Sequence, residues 1–120
     1  MANEFVVRRG LISLGGITLP YVSVNQGYTI TSDDYFIDGD GTFNITLPTA
    51  VGKQGQSFLI KNSGSGTITV NTTSSQTIDG QLTEVLDQYD SVQVTSDGSN
   101  WVIAGADGTS GSSGTSGSSG

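Results

Sequence analysis

Apolar residues recur in this chain at every second position and almost nowhere at the 3.6-residue spacing of a helix. Residues 42–47 alternate cleanly, placing Phe43, Ile45 and Leu47 on one face. Ile68 and Val70 repeat the pattern, as do Val92 and Val94. The intervening threonines and valines are stiff at χ1 and sit well on a pleated surface, which supports a strand reading. Gly- and Asn-rich turn signals separate the strands. Residues 38–41 stand between a strand at 35–37 and one at 42–47. Residues 62–66 join strands at 57–61 and 67–71, and 97–100 join 91–95 to 101–103. Only Leu82, Val85, Leu86 and Tyr89 offer helical spacing; one helical turn fits there, and a strand at 82–87 fits at least as well. These features predict an all-β fold of eight to ten short strands, a small antiparallel β-sandwich of jelly-roll type.

Two stretches break the alternation. Phe58, Leu59 and Ile60 are consecutive apolar residues, as are Trp101, Val102 and Ile103. A strand with one wet face should alternate, so both are expected to be covered on both sides. Either they lie inside under a loop, or one face meets another copy of the chain. On the second reading Phe58, Ile60 and Val102 are interface residues. Tyr28 and Tyr35, which flank a strand, join them because tyrosine is enriched at interfaces. For Trp101 itself, core packing is favoured. The first 27 residues are less regular, with short strands broken by Gly10, Gly15, Gly16 and Pro20. Such a segment can lie along the sandwich or exchange between subunits.

Composition removes several kinds of chemistry. There are no cysteines or histidines, so disulfides, thiolate nucleophiles and the commonest general base and metal ligand are missing. Eleven acidic residues against four basic ones give a net charge of −7. Arg8, Arg9, Lys53 and Lys61 cannot build a patch for nucleic acid or an anionic membrane surface. No apolar stretch follows a basic one as in a signal peptide, and none is long enough to span a bilayer as a helix.

The C-terminal residues carry a second period. Gly105, Gly108, Gly111, Gly114, Gly117 and Gly120 are spaced by three without error. A collagen triple helix requires that spacing, because every third residue faces an axis too crowded for a side chain. No intervening position holds proline, so about five such triplets would not trimerise unaided; a trimeric domain holding three ends together would supply the effective concentration. The alternative is a flexible Gly/Ser linker. The chain thus divides into an N-terminal strand segment (1–27), a β-domain (28–104) and a stem or linker (105–120).

The β-domain resembles one widespread in tail fibres and other appendages of tailed bacteriophages. The resemblance is carried by residues 28–35 (YTITSDDY), 43–48 (FNITLP), 55–70 (GQSFLIKNSGSGTITV), 76–80 (QTIDG) and 90–101 (DSVQVTSDGSNW), taken as a series. Residues 3–12 (NEFVVRRGLI) are also similar to the starts of such proteins. The resemblance implies a homotrimeric structural protein of the virion, assembled in the host cytoplasm. It implies a virion-proximal domain that anchors a collagen-like stem and contacts other virion proteins. It brings no catalytic residues and no cofactor. A host-surface binding module for glycan or protein is the alternative it leaves open.

Other chemistry fits the residues less well. Asp38, Asp40 and their glycines suggest a calcium loop, but counting from Asp38 puts Phe43 and Thr49 where an EF-hand needs glycine and glutamate, so a polar turn is expected. Asp33 and Asp34 can do no more than share an ion with that turn. Asp79, Glu84, Asp87 and Asp90 are carboxylates of the kind glycosidases use, but they fall on turns and strand edges, and no enzyme activity is expected. Tyr21, Tyr28, Tyr35 and Tyr89 can stack on sugars.

Overall fold

The computed structural model describes residues 10–107. Those residues form nine strands and no helix: β1 (Tyr21–Val24), β2 (Tyr28–Thr29), β3 (Phe36–Gly39), β4 (Phe43–Thr46), β5 (Ser57–Asn62), β6 (Ile68–Asn71), β7 (Thr83–Leu86), β8 (Ser91–Ser96) and β9 (Trp101–Asp107). They make two sheets, ordered β1-β3-β5-β8-β9 and β2-β4-β6-β7.

The first six strands alternate between the sheets. β1, β3 and β5 stack in parallel, with Tyr21, Phe36 and Leu59 in register. β2, β4 and β6 do likewise, with Tyr28, Ile45 and Val70 in register. The chain therefore winds as three stacked coils, each laying one strand in each sheet. The last three strands reverse direction: β7 pairs antiparallel with β6, β8 with β5, and β9 with β8.

The expectation of an all-β fold holds, but the expected antiparallel sandwich does not, because four of the seven strand pairings among the described residues are parallel. Period-two alternation reports one buried face and is blind to the direction of the neighbour. The turns after β3 and β5 are coil corners that carry the chain between sheets. Only 97–100 is a hairpin turn as read: Asp97 Oδ1 accepts the Ser99 and Asn100 N–H groups, and the Asp97 N–H donates to the Asn100 carbonyl. The ambiguous segment 82–89 contains a strand, β7. The fold also reaches further than 28–104, taking in β1 at one end and Gly105–Asp107 of β9 at the other.

Inward residues fill the space between the sheets. Ile37, Phe58, Ile60, Val92 and Val94 come from one, Ile45, Ile68, Val70 and Leu86 from the other, and all are buried. Trp101 is a core residue, as expected: its ring lies 5.6 Å from that of Phe58, and its indole N–H donates to the Pro48 carbonyl at 3.3 Å.

The corners are tied by polar groups. Asn62, at the end of β5, is fully buried. Its amide donates to the Gly66 and Leu86 carbonyls, each at 2.8 Å, and its oxygen accepts the Gly64 N–H at 3.0 Å. Gln76 accepts the Ala50 N–H and donates to Thr49 Oγ1, while Ser96 donates to the Ala50 carbonyl. Among the described residues no buried side-chain polar atom lacks a partner, so hydrogen bonds offset the desolvation cost of the polar groups in this small two-sheet core.

Candidate assembly surface

The outward residues of the two sheets differ in character. On the five-stranded sheet, one cross-strand row runs Tyr21, Phe36, Leu59, Gln93 and Gly105. The rings of Tyr21 and Phe36 lie 5.3 Å apart and tilted, and Phe36 and Leu59 are half-buried in the single chain. Val102, 39% exposed, stands opposite Thr95 on the same outer face. Leu59 thus explains the unbroken apolar run in β5: two of its side chains enter the core while the middle one joins an aromatic and aliphatic row outside. The neighbouring row, Ser23, Asp38, Lys61, Ser91 and Asp107, is polar.

The five expected interface residues fall into three groups. Phe58 and Ile60 are wholly buried inside one chain and have no surface to offer a partner, so they are core residues. Val102 is exposed on the outer face. Tyr28 is half-buried against the core and Tyr35 is half-buried. The Tyr28 hydroxyl donates to Asp34 Oδ2 at 2.8 Å, and that hydrogen bond with burial raises its pKa above the ordinary tyrosine value. The sequence reading did not bring Tyr21, Phe36 and Leu59 together as one outward row. Their signal was cross-strand register, which is invisible without knowing that β1, β3 and β5 run parallel.

Gly105 lies in β9 opposite Gln93. It belongs to the sheet, and the triplet spacing can leave the sheet no earlier than Gly108. The remaining triplet glycines, Gly108, Gly111, Gly114, Gly117 and Gly120, lie outside the described residues. The free edge of β9 is satisfied at its start: the Asp79 N–H donates to the Trp101 carbonyl, and Asp79 Oδ1 accepts the Ile103 N–H. Beyond that come Ala104, Gly105 and Ala106, small and exposed.

Two of the four aspartates considered for calcium, Asp38 and Asp34, accept hydrogen bonds from hydroxyls. Asp38 accepts from Tyr21 at 2.7 Å and from Ser63, and Asp34 accepts from Tyr28 and from the Thr31 N–H and hydroxyl. Among the described residues no three acidic side chains gather as a metal site would need.

Of the four carboxylates considered for glycan cleavage, two meet. Asp79 and Glu84 line one recess of about 590 Å³ with Ile78, Gln81, Thr83, Val85 and Ile103. Asp90 is instead buried in the turn after β7, where it accepts the Asp87 N–H. Partial burial, then repulsion from Asp79, pushes the Glu84 carboxyl above its ordinary value. The folded state therefore holds this proton more tightly than the unfolded chain, so Glu84 costs stability as pH rises from the ordinary carboxylate range through its raised folded value. Glu84→Gln is expected to stabilise the protein at pH 7 by less than about 1 kcal/mol, since the group is partly solvated. Thermal melts should show no gain at pH 3.5.

The other sheet presents an uncharged outer face. Thr29, Thr46, Asn71 and Thr83 form one row, and Asn44, Thr69 and Val85 another. Thr46 Oγ1 donates to Asn71 Oδ1 at 2.8 Å. Tyr89, the other exposed tyrosine besides Tyr21, holds a left-handed backbone (φ 69°), with the Lys61 ammonium 5.8 Å from its ring centre. Compared with known proteins, the chain matches no protein-family model and no curated protein.

Proposed function

We propose that this chain is a structural subunit of a bacteriophage tail appendage, a homotrimer whose β-domain gathers three chains and anchors a collagen-like stem. The observation that carries this reading is the route of β9. It ends at Asp107, one residue before Gly108, on the sheet whose outer face bears the Tyr21, Phe36, Leu59 and Val102 side chains. A triple helix needs three chains brought to one axis in fixed stagger. A trimer packed through this face would deliver three β9 ends together and raise the local concentration of the triplets. The role is assembly: the domain sets stoichiometry and register, and the stem closes from it. In the particle, its remaining contacts are with other virion proteins.

Light scattering on the full chain tests the stoichiometry. The expected mass is three times the 12.3 kDa of one chain, and a monomer at micromolar concentration would reject the reading. Leu59→Lys, which places an ammonium in the apolar row, is expected to weaken the trimer by at least about tenfold while leaving each domain folded.

A second reading is favoured by one feature, the hydroxyl and amide rows of the four-stranded sheet. An uncharged face rich in threonine and asparagine suits a neutral glycan, and host-surface binding is the function it would serve. A glycan array probed with the protein and with Asn44→Ala and Thr69→Ala variants tests it. Binding that is lost in both variants supports it.

A further inference from the structure

At the first coil the apolar core between the sheets is incompletely covered. Inward-facing Ile37, Ile60 and Val92 are buried, yet Val22, which continues their column into the first coil, is only half-buried. On the other sheet Ile45 and Val70 are buried, whereas Tyr28 at the head of their column is not. β1 and β2 are both terminal strands of their sheets, so among the described residues each has a backbone edge with no strand beside it at this same end. An open, uncharged edge over a half-covered apolar core invites another strand.

Immediately before β1 lies the strongest apolar exposure among the described residues. Leu11, Ile12, Leu14, Ile17 and Leu19 are all more than half exposed, Ile12 at 86% and Leu14 at 97%. None of the five belongs to the hydrophobic core of the described residues or packs against it. A run of five such side chains is far more than the scattered exposure a soluble surface carries.

We propose that residues 11–19 form an assembly arm that caps the open first coil of a second copy of this chain. Three observations choose that occupant. Arm and open end are different surfaces, so the contact is heterologous; such contacts close into a ring when the rotation permits. The glycine triplets call for three chains, and in a three-membered ring every arm is used and every open end covered. Charge also favours the pairing: Arg8 and Arg9, half of the basic residues, directly precede the arm, whereas ten of the eleven acidic residues lie within 33–107. The inference rests on the trimeric reading and adds to it which segments meet.

The lack of native cysteines makes cross-linking in the full chain direct. Three double variants, each joining Val22→Cys to one of Ile12→Cys, Leu14→Cys or Ile17→Cys, are oxidised and run on non-reducing gels. Disulfides need Cβ atoms about 3.5–4.5 Å apart, so the three positions sample the arm's register. Covalent trimers from at least one pair are expected. In parallel, Leu14→Ser/Ile17→Ser should weaken trimer association by at least about a hundredfold, with strand content by circular dichroism unchanged because both residues are exposed. If the serine variant remains a full-strength trimer and no pair links between chains, the arm proposal is overturned and the trimer stands. Links formed only within a chain overturn it equally. A monomeric parent protein overturns both.

Discussion

Gly66→Ala is expected to destabilise the domain by about 3 kcal/mol or more, a large share of what a domain of this size possesses. Gly66 sits in the corner after β5, stacked on the corner after β3. A Cβ there would lie 2.6 Å from both the carbonyl carbon and the oxygen of Gly41. Those are backbone atoms of the adjacent coil, so relief requires moving one coil against another. The Gly66 φ is not in the left-handed region, which makes the cost steric rather than conformational. Gly64→Ala should cost less, because its Cβ meets mainly the Asp40 side chain, whose Cγ at 2.8 Å can rotate away, although the Asp40 Cα lies at 3.1 Å. Gly105→Ala should cost the domain almost nothing, since nothing lies within 4 Å. Urea denaturation of the three variants reads the order directly, and equal losses at Gly66 and Gly105 would contradict the stacked-corner packing.

That order also shows which part of the fold the residues announce and which they hide. Alternation at 42–47, 67–71 and 91–95 locates β4, β6 and β8, because one buried face imposes period two whatever the neighbour does. Pairing direction depends on where a turn delivers the next strand, and the corners at 38–42 and 62–67 use the glycine, asparagine and aspartate that hairpins also use. A clue was present in their recurrence. Val24, Gly39 and Asn62 occupy one register position in three successive parallel strands, and each is followed by a glycine-bearing corner. The candidate assembly surface was legible only in part. Phe58 and Ile60 looked like interface residues because their run is apolar on consecutive positions. In the fold the odd one out is Leu59, which sits outward beside Phe36. That pairing spans 23 residues of sequence and follows from parallel stacking alone.

Asn62→Ala should rank with Gly66→Ala in its effect, for an electrostatic reason in place of a steric one. The side chain is fully buried and makes three hydrogen bonds, to Gly64, Gly66 and Leu86. It therefore ties its own corner into shape and fastens that corner to β7, the strand that ends the second sheet. Truncation removes all three bonds and leaves the Leu86 and Gly66 carbonyls and the Gly64 N–H to find other partners in a site with little access to water. An unsatisfied buried group costs about 1–3 kcal/mol, so the combined loss is expected at about 3–5 kcal/mol. Asn62→Asp separates the contributions. It keeps an acceptor for the Gly64 N–H but turns an oxygen towards two carbonyls that need donors, and its charge would be buried. It should be at least as damaging as alanine at pH 7 and recover part of the difference at pH 4, where protonation restores one donor. A melt in which Asn62→Asp matches the parent at pH 7 would show that the corner is held by something other than this amide.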